Sequence, residues 1–339
     1  MIGEKFLSSI LLILFSLLFS FSSNQPETIN VSSQPPLSSQ EKFVFKEITH
    51  NADWSKRDAH TSVVFNDKIW VIGGVGGKSP DYSKIQSDIW FSDDGKSWVL
   101  VNDLMPWGPR RAHASVIFQD KIWILGGVTK GEKYLNDVWS SEDGIHWHLV
   151  TKHAQWTPRK GFTATVFKGK IWVIGGVDTK GAVNDIWVSS DGKNWTLITK
   201  HAPFSPRYDH AVEVFQGKIW LSGGVFPGKM GEKEIWYSED GKNWYKVQKE
   251  IPWRGRHGHC LITFKNRLWI IGGWSGWGEG FNDVWFSFDG ENWKEFTHES
   301  PWVGREDLTC LVFKDRLWIL GGMITSGQRT NDVWVLEEG

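Results

Sequence analysis

Short apolar runs closed by turn residues recur along the chain at a fixed period. Ile122-Trp123-Ile124-Leu125 and Ile171-Trp172-Val173-Ile174 are two of them, and each is followed by Gly-Gly. The Trp of each run is Trp70, Trp123, Trp172, Trp220, Trp269 or Trp318, and the glycine pairs begin at Gly73, Gly126, Gly175, Gly223, Gly272 and Gly321. Successive pairs are 53, 49, 48, 49 and 49 residues apart, so one structural unit is copied six times. A residue kept in every copy is expected to be structural. A residue that departs from the copies is a candidate for specificity.

Each unit opens on an Arg (Arg57, Arg110, Arg159, Arg207, Arg256, Arg305), and a Phe follows eight residues later (Phe65, Phe118, Phe167, Phe215, Phe264, Phe313). The stretch between them, as in Ala114-Ser115-Val116-Ile117, predicts a buried strand. A two-residue turn such as Asn66-Asp67 or Lys168-Gly169 predicts a hairpin into the Trp-bearing strand. A variable loop then leads to a third strand carrying Trp90, Trp139, Trp187, Trp236, Trp285 or Trp334. In five units an Asp-Gly tip, from Asp94-Gly95 to Asp289-Gly290, turns the chain into a fourth strand with Trp98, Trp147, Trp195, Trp244 or Trp293. Four antiparallel strands repeated six times predict an all-β, six-bladed β-propeller over residues 42–339.

The sixth unit stops after Trp334-Val335-Leu336-Glu337-Glu338-Gly339, before its fourth strand. In the other units the fourth-strand Trp lies twelve residues before the next Arg, and twelve before Arg57 is Phe45, inside Phe43-Val44-Phe45-Lys46-Glu47-Ile48. The N-terminal strand is therefore expected to complete the last blade and close the ring, which removes the exposed sheet edges.

The Arg at the strand start, the aromatic before Gly-Gly and the aromatic pair on strands three and four resemble the kelch repeat family over residues 42–339. The chain departs from the common pattern in using Trp where Tyr is frequent. Its outer hairpins, such as Ser141 to Trp147, are similar to the Asp-box turn of sialidase-like propellers, shortened by one residue. The resemblance implies a six-bladed kelch-type propeller like the central domain of galactose oxidase. It leaves function open, because one fold hosts many activities.

Composition narrows the rest. The formal net charge is −1, which provides no bulk attraction for nucleic acid or anionic lipid, and no nucleic-acid partner is expected. Lys5 precedes an apolar run from Phe6 to Phe21, and Ser20-Phe21-Ser22 offers small residues for cleavage. Residues 1–22 thus read as a signal peptide and residues 23–41, rich in Ser, Pro, Asn and Gln, as a flexible linker. The protein is expected to be secreted, periplasmic or on the cell surface, with membrane attachment only if the segment stays uncleaved. A monomer is expected. The two cysteines, Cys260 and Cys310, lie four and five residues after their repeat Args. Buried free thiols are the favoured reading, and a disulfide would require Cα atoms within about 7 Å.

Function is expected on the face that carries the loops between strands two and three. Arg57, Arg110, Arg159, Arg207, Arg256 and Arg305 would form an anion-binding funnel there, unless each holds its blade to the next through backbone carbonyls. His60, His113, His210 and His259 lie three residues after four of these Args but are spread one per blade, so no metal site or other cofactor is expected. Four aromatic positions per unit account for all but two of the 24 Trps; Trp274 and Trp277, in the Gly-rich loop of unit five, have no repeat role and suggest a recognition surface. Tyr82, Tyr134, Phe226, Met323 and Arg329 occupy the matching loops of other units, and Tyr208-Asp209, His257 and Glu306-Asp307, beside the repeat Args, also vary from blade to blade. Glu213 stands where the other units have Val63, Val116, Thr165, Ile262 and Leu311, and it reads either as an acid or base reached through the central channel or as partner to an Arg. These residues favour an exported, non-enzymatic binding protein for a carbohydrate or protein ligand. The alternatives are a carbohydrate-active enzyme, such as a sialic acid mutarotase-like epimerase using Glu213 with Arg207 or His210, and a surface scaffold or adhesin. The copper-oxidase pattern of Tyr and His ligands is not present, since Asp209 separates Tyr208 from His210.

Overall fold

The computed structural model describes residues 42–229, 231–276 and 278–339. The segments read as signal peptide and linker lie outside the described residues, as does Trp277. Residues 42–339 form six antiparallel sheets, five of four strands and one of five, in which the two-residue strand Arg305–Glu306 also pairs with Arg316–Ile324. Blade one runs Thr61–Phe65, Lys68–Ile72, Ile89–Ser92 and Val99–Asn102 from the centre outward, and the pattern repeats. Each innermost strand neighbours those of the blades before and after, and Thr309–Phe313 of blade six meets Thr61–Phe65, so the ring is closed.

The repeat motifs explain the blades locally. The turn between the first two strands has both central residues at positive φ, 48° and 53° at Asn66 and Asp67, the mirror-image turn that matches strand twist. In the outer hairpin, Ser92 Oγ accepts from the Gly95 amide at 2.8 Å, and Asp94 Oδ1 accepts from the amides of Lys96 and Ser97 at 2.8 and 2.9 Å. The hairpin glycine then lies flat against the second-strand Trp of the preceding blade. A Cβ on Gly290 would come within 2.5 Å of the Trp220 ring. The hydrophobic core is correspondingly divided into six clusters, each shared by two successive blades.

The N-terminal strand closes the last blade as expected. Phe43–Thr49 pairs with Arg329–Glu338, with Phe45 opposite Leu336. Elsewhere the fourth-strand Trp meets the aromatic before the repeat Arg edge to face, as Trp98 meets Trp54 at 5.9 Å between centroids. Phe45 meets Trp302 in the same way, at 4.7 Å and 86°. Blade six has no Asp-Gly hairpin to cover Trp269, and Phe43 covers it instead at 5.6 Å.

The cysteines are a correction to the favoured reading. Cys260 and Cys310 sit on adjacent innermost strands, with Cα atoms 6.1 Å apart, and form a disulfide. Their one-residue difference in repeat position is compatible with a bond because the two strands face each other across the blade interface.

Candidate functional site

The six repeat Args do not line a funnel. All are 0–2 % exposed. Each guanidinium is held by the carboxylate two residues before the third-strand Trp of its own blade. Arg57 grips Asp88 with two bonds of 2.7 Å, and Arg256 grips Asp283 at 2.7 and 2.8 Å. The counterparts are Arg110–Asp137, Arg159–Asp185, Arg207–Glu234 and Arg305–Asp332. The Trp that follows donates its indole N–H to the same carboxylate, as Trp285 does to Asp283 at 2.8 Å. Burial works to raise Asp283, but the bond and charge of Arg256 outweigh it and leave the carboxyl below its ordinary value. Arg57 Nη1 also donates to the Gly73 carbonyl at 2.8 Å, a bond the other blades repeat. The guanidinium groups therefore bind the blade together and present no donors to a ligand.

The four His are latches between blades. His113 Nε2 lies 2.9 Å from Thr61 Oγ1, His210 3.0 Å from Thr163 and His60 3.1 Å from Thr309, each partner four residues after the Arg of the preceding blade. Where that position is Ala114 or Cys260, the next blade carries Phe162 or Leu308 instead of His. His259 is the exception: Ala211 offers no hydroxyl, and the ring reaches Ser222 Oγ at 2.7 Å. Burial and the neighbouring Arg push His60 and His210 down to about 3, so both are neutral.

Below the loop face the chain enters each innermost strand through a left-handed residue. These are Ala59, Ala112, Gly161, Asp209, Gly258 and Asp307, with φ between 49° and 61°. They form a collar in which five of the six amides, from Ala112 to Asp307, donate to the carbonyl of the previous member, as Ala112 does to Ala59 at 2.8 Å and Asp307 to Gly258 at 2.8 Å. The collar separates a central channel cavity of about 280 Å³ from a cavity of about 430 Å³ at the channel mouth. Ala59, Ala112, Asp209 and Asp307 line both.

The residue just before each collar position differs from blade to blade. In blade order it is Asp58, Arg111, Lys160, Tyr208, His257 and Glu306, six different residues at one repeat position. Five line the mouth cavity, with Tyr82, Glu132 and Met323 from the loops. The sixth, His257, stands beside Glu306, with Nδ1 3.4 Å from Oε2. Arg111 and Lys160 share Glu132, at 2.5 and 2.8 Å, and Arg111 stacks on Tyr82 at 4.1 Å. Arg329, 2 % exposed, pairs with Asp58 at 3.0 Å and donates to the Gly76 carbonyl at 3.0 Å, tying the loops of blades six and one beneath the rim.

Two outliers of the sequence lie away from this cavity. Glu213 is in neither cavity wall; its Oε1 accepts from the Thr263 amide of blade five at 3.2 Å, and burial lifts it to about 7. That replaces both the channel acid and the Arg partner expected of it. Trp274 is half-buried, pairs through its backbone with His257 at 2.9 and 3.1 Å, and is not in the mouth wall among the described residues. Asp58, Arg111, Lys160 and Glu132 escaped the sequence reading. The first three were findable, since the repeat position after the Arg is one that never repeats.

A closed ring of six such blades, with Arg–carboxylate–Trp clasps and a polar mouth, defines a kelch-type β-propeller. The chain belongs to the kelch-repeat family: the sequence model described as the KLHDC2/KLHL20/DRC7 Kelch-repeats domain matches residues 59–273. A solved structure titled "Structure of YjhT" is similar over 84 % of this chain and 96 % of that one, with a TM-score of 0.69 and 18 % identity, a likeness of fold. No curated protein matches the chain.

Proposed function

We propose that the protein is an exported binding propeller that holds a small polar ligand, of carbohydrate type, in the mouth of the channel. The observation that carries this reading is the ring of six different side chains after the six repeat Args, set on a scaffold that is otherwise copied blade by blade. The cavity of about 430 Å³ is of the size that encloses a small ligand, and its wall mixes Arg111, Lys160, Tyr208 and carboxyls able to bind hydroxyl groups. Export is supported by the apolar run Phe6–Phe21 and by the Cys260–Cys310 disulfide, which persists in oxidising compartments.

The test is a thermal-shift and calorimetric screen of the full chain against neutral, amino and acidic monosaccharides, repeated with Lys160→Ala and Tyr208→Ala. A sugar that raises the melting temperature, with weaker binding by both variants, supports the reading. If no sugar binds, the carbohydrate reading fails and a protein partner on the loop face takes its place.

A further inference from the structure

Three acids of the mouth make no ion pair with an Arg or Lys among the described residues; the one basic group within 4 Å of any of them is the His257 ring beside Glu306. Asp209 and Asp307 are collar members of blades four and six, and Glu306 directly precedes Asp307. Among the described residues no hydrogen bond reaches any of the three carboxyls. Glu306 is 8 % exposed and lines the cavity. Its neighbour His257, 7 % exposed, has no hydrogen-bond partner at either ring nitrogen, and burial pushes it down to about 4, so it brings no charge. The cations of the mouth are committed elsewhere: Arg111 and Lys160 to Glu132, and Arg329 to Asp58.

The fold makes room for the acids. Around the collar each Asp is preceded by a glycine, Gly161 before Asp209 and Gly258 before Asp307. A Cβ on Gly258 would lie 2.6 Å from Asp307 Oδ1, and one on Gly161 would overlap Asp209 Oδ1. The two carboxyls thus occupy space that only glycine leaves open. Ala59 and Ala112 are followed around the collar by Ala112 and Gly161, which bear no acid, and both positions carry a Cβ.

Glu306 is buried and Asp209 and Asp307 are half-buried; a carboxylate shielded from water without a partner is costly, so Glu306 and Asp307 favour the protonated form. Burial, then the charges of Asp209 and Asp58, lifts Glu306 to about 8. Burial, then Asp209 and Glu306, lifts Asp307 well above its ordinary value. Burial lifts Asp209 to about 6, against the pull of Lys160 and Arg111.

We infer that the ligand of this cavity carries a protonated amine, seated against Glu306, Asp307 and Asp209. This rests on the reading of the mouth as a binding site and names what it selects. The ammonium supplies the missing charge, Glu306 and Asp307 ionise, and their protons pass to solvent. An anionic ligand would do the reverse and hold the acids protonated. The direction of proton flow therefore separates the two.

The experiment is titration calorimetry of the full chain at about pH 6.5, where Glu306 and Asp307 are protonated and an amino sugar is charged, in two buffers of different ionisation heat. The probes are glucosamine, N-acetylglucosamine, glucose and free lysine. Glucosamine is expected to bind about tenfold or more tighter than its acetylated form and to release about one to two protons per ligand. Glu306→Gln, which replaces a protonated carboxyl by an amide of the same shape and so keeps the fold, is expected to reduce both affinity and proton release. Lysine binding with the same proton release supports an amine seat that is not confined to sugars. Equal binding of glucose or N-acetylglucosamine, or proton uptake, overturns the amine seat and leaves the sugar site standing. No binding by any probe, in a chain whose melting is unaltered by all four, overturns both.

Discussion

Gly258 leaves open the space that Oδ1 of Asp307 fills, 2.6 Å from where a Cβ would stand. The left-handed φ of 58° is not what demands glycine here, since Ala59 and Ala112 hold the same conformation at 49° in the same collar. The carboxyl of the next blade demands it.

Gly258→Ala is therefore expected to cost about 1–3 kcal/mol of stability through displacement of Asp307. Gly258→Ala with Asp307→Ala is expected to recover most of that loss. Urea denaturation of the two single variants and the double variant checks it, and simple additivity would show that the two residues are uncoupled.

Arg256 is buried, Asp283 is half-buried, and the two are bonded twice. Arg256→Met, which leaves the carboxylate without its partner, is expected to destabilise by about 3–5 kcal/mol. Arg256→Met with Asp283→Leu is expected to cost less than the single change, because no unpaired charge is left inside. Chemical denaturation midpoints of both decide it.

Phe45 takes the place that Trp holds in the other five blades. Phe45→Ala is expected to cost about 3–5 kcal/mol and to loosen the closure of blade six. Phe45→Trp, which restores the repeat residue opposite Trp302, is expected to be tolerated within about 1.5 kcal/mol. Hydrogen exchange of residues 329–338, the partner strand, reports the opening directly.

His113 latches to Thr61, whereas the next interface uses Phe162 beside Ala114. His113→Phe is expected to leave the Thr61 hydroxyl without its ring partner and to lower the melting temperature. Adding Thr61→Ala, which copies the natural pairing of blades two and three, is expected to restore part of it. A double variant no better than His113→Phe alone would mean that the latch does not couple these positions.

Glu213 has an ordinary value of 4.5 and is raised to about 7 in the folded chain. Its folded form therefore prefers the proton: the stability linked to it is full below the unfolded value and is lost as pH rises through about 7. Glu213→Gln, which keeps an acceptor for the Thr263 amide, is expected to melt close to the parent near pH 4 and above it near pH 8. Melting temperatures across that interval are the measurement, and parallel curves would contradict the assignment.

The chain's own periodicity determines the propeller. Six copies of Arg, Phe, Trp-containing run and Gly-Gly specify strands, turns and blade number, because each is a local pattern of burial and backbone conformation. Even the closing strand is legible, since Phe45 keeps the twelve-residue distance to Arg57 that the other blades keep. What a conserved repeat residue touches is not local. Arg57 reads equally well as a ligand-binding cation and as a clasp until Asp88 is seen across the blade. Cys260 and Cys310 read as thiols until the blades face each other. The mouth is the clearest case. Asp58 and Glu306 are separated by five blades in the chain and line one cavity only because the ring closes. Sequence marks their position as one that never repeats, but that no Arg or Lys pairs with Glu306 or Asp307 among the described residues is a property of three-dimensional distance, which only the tertiary structure decides.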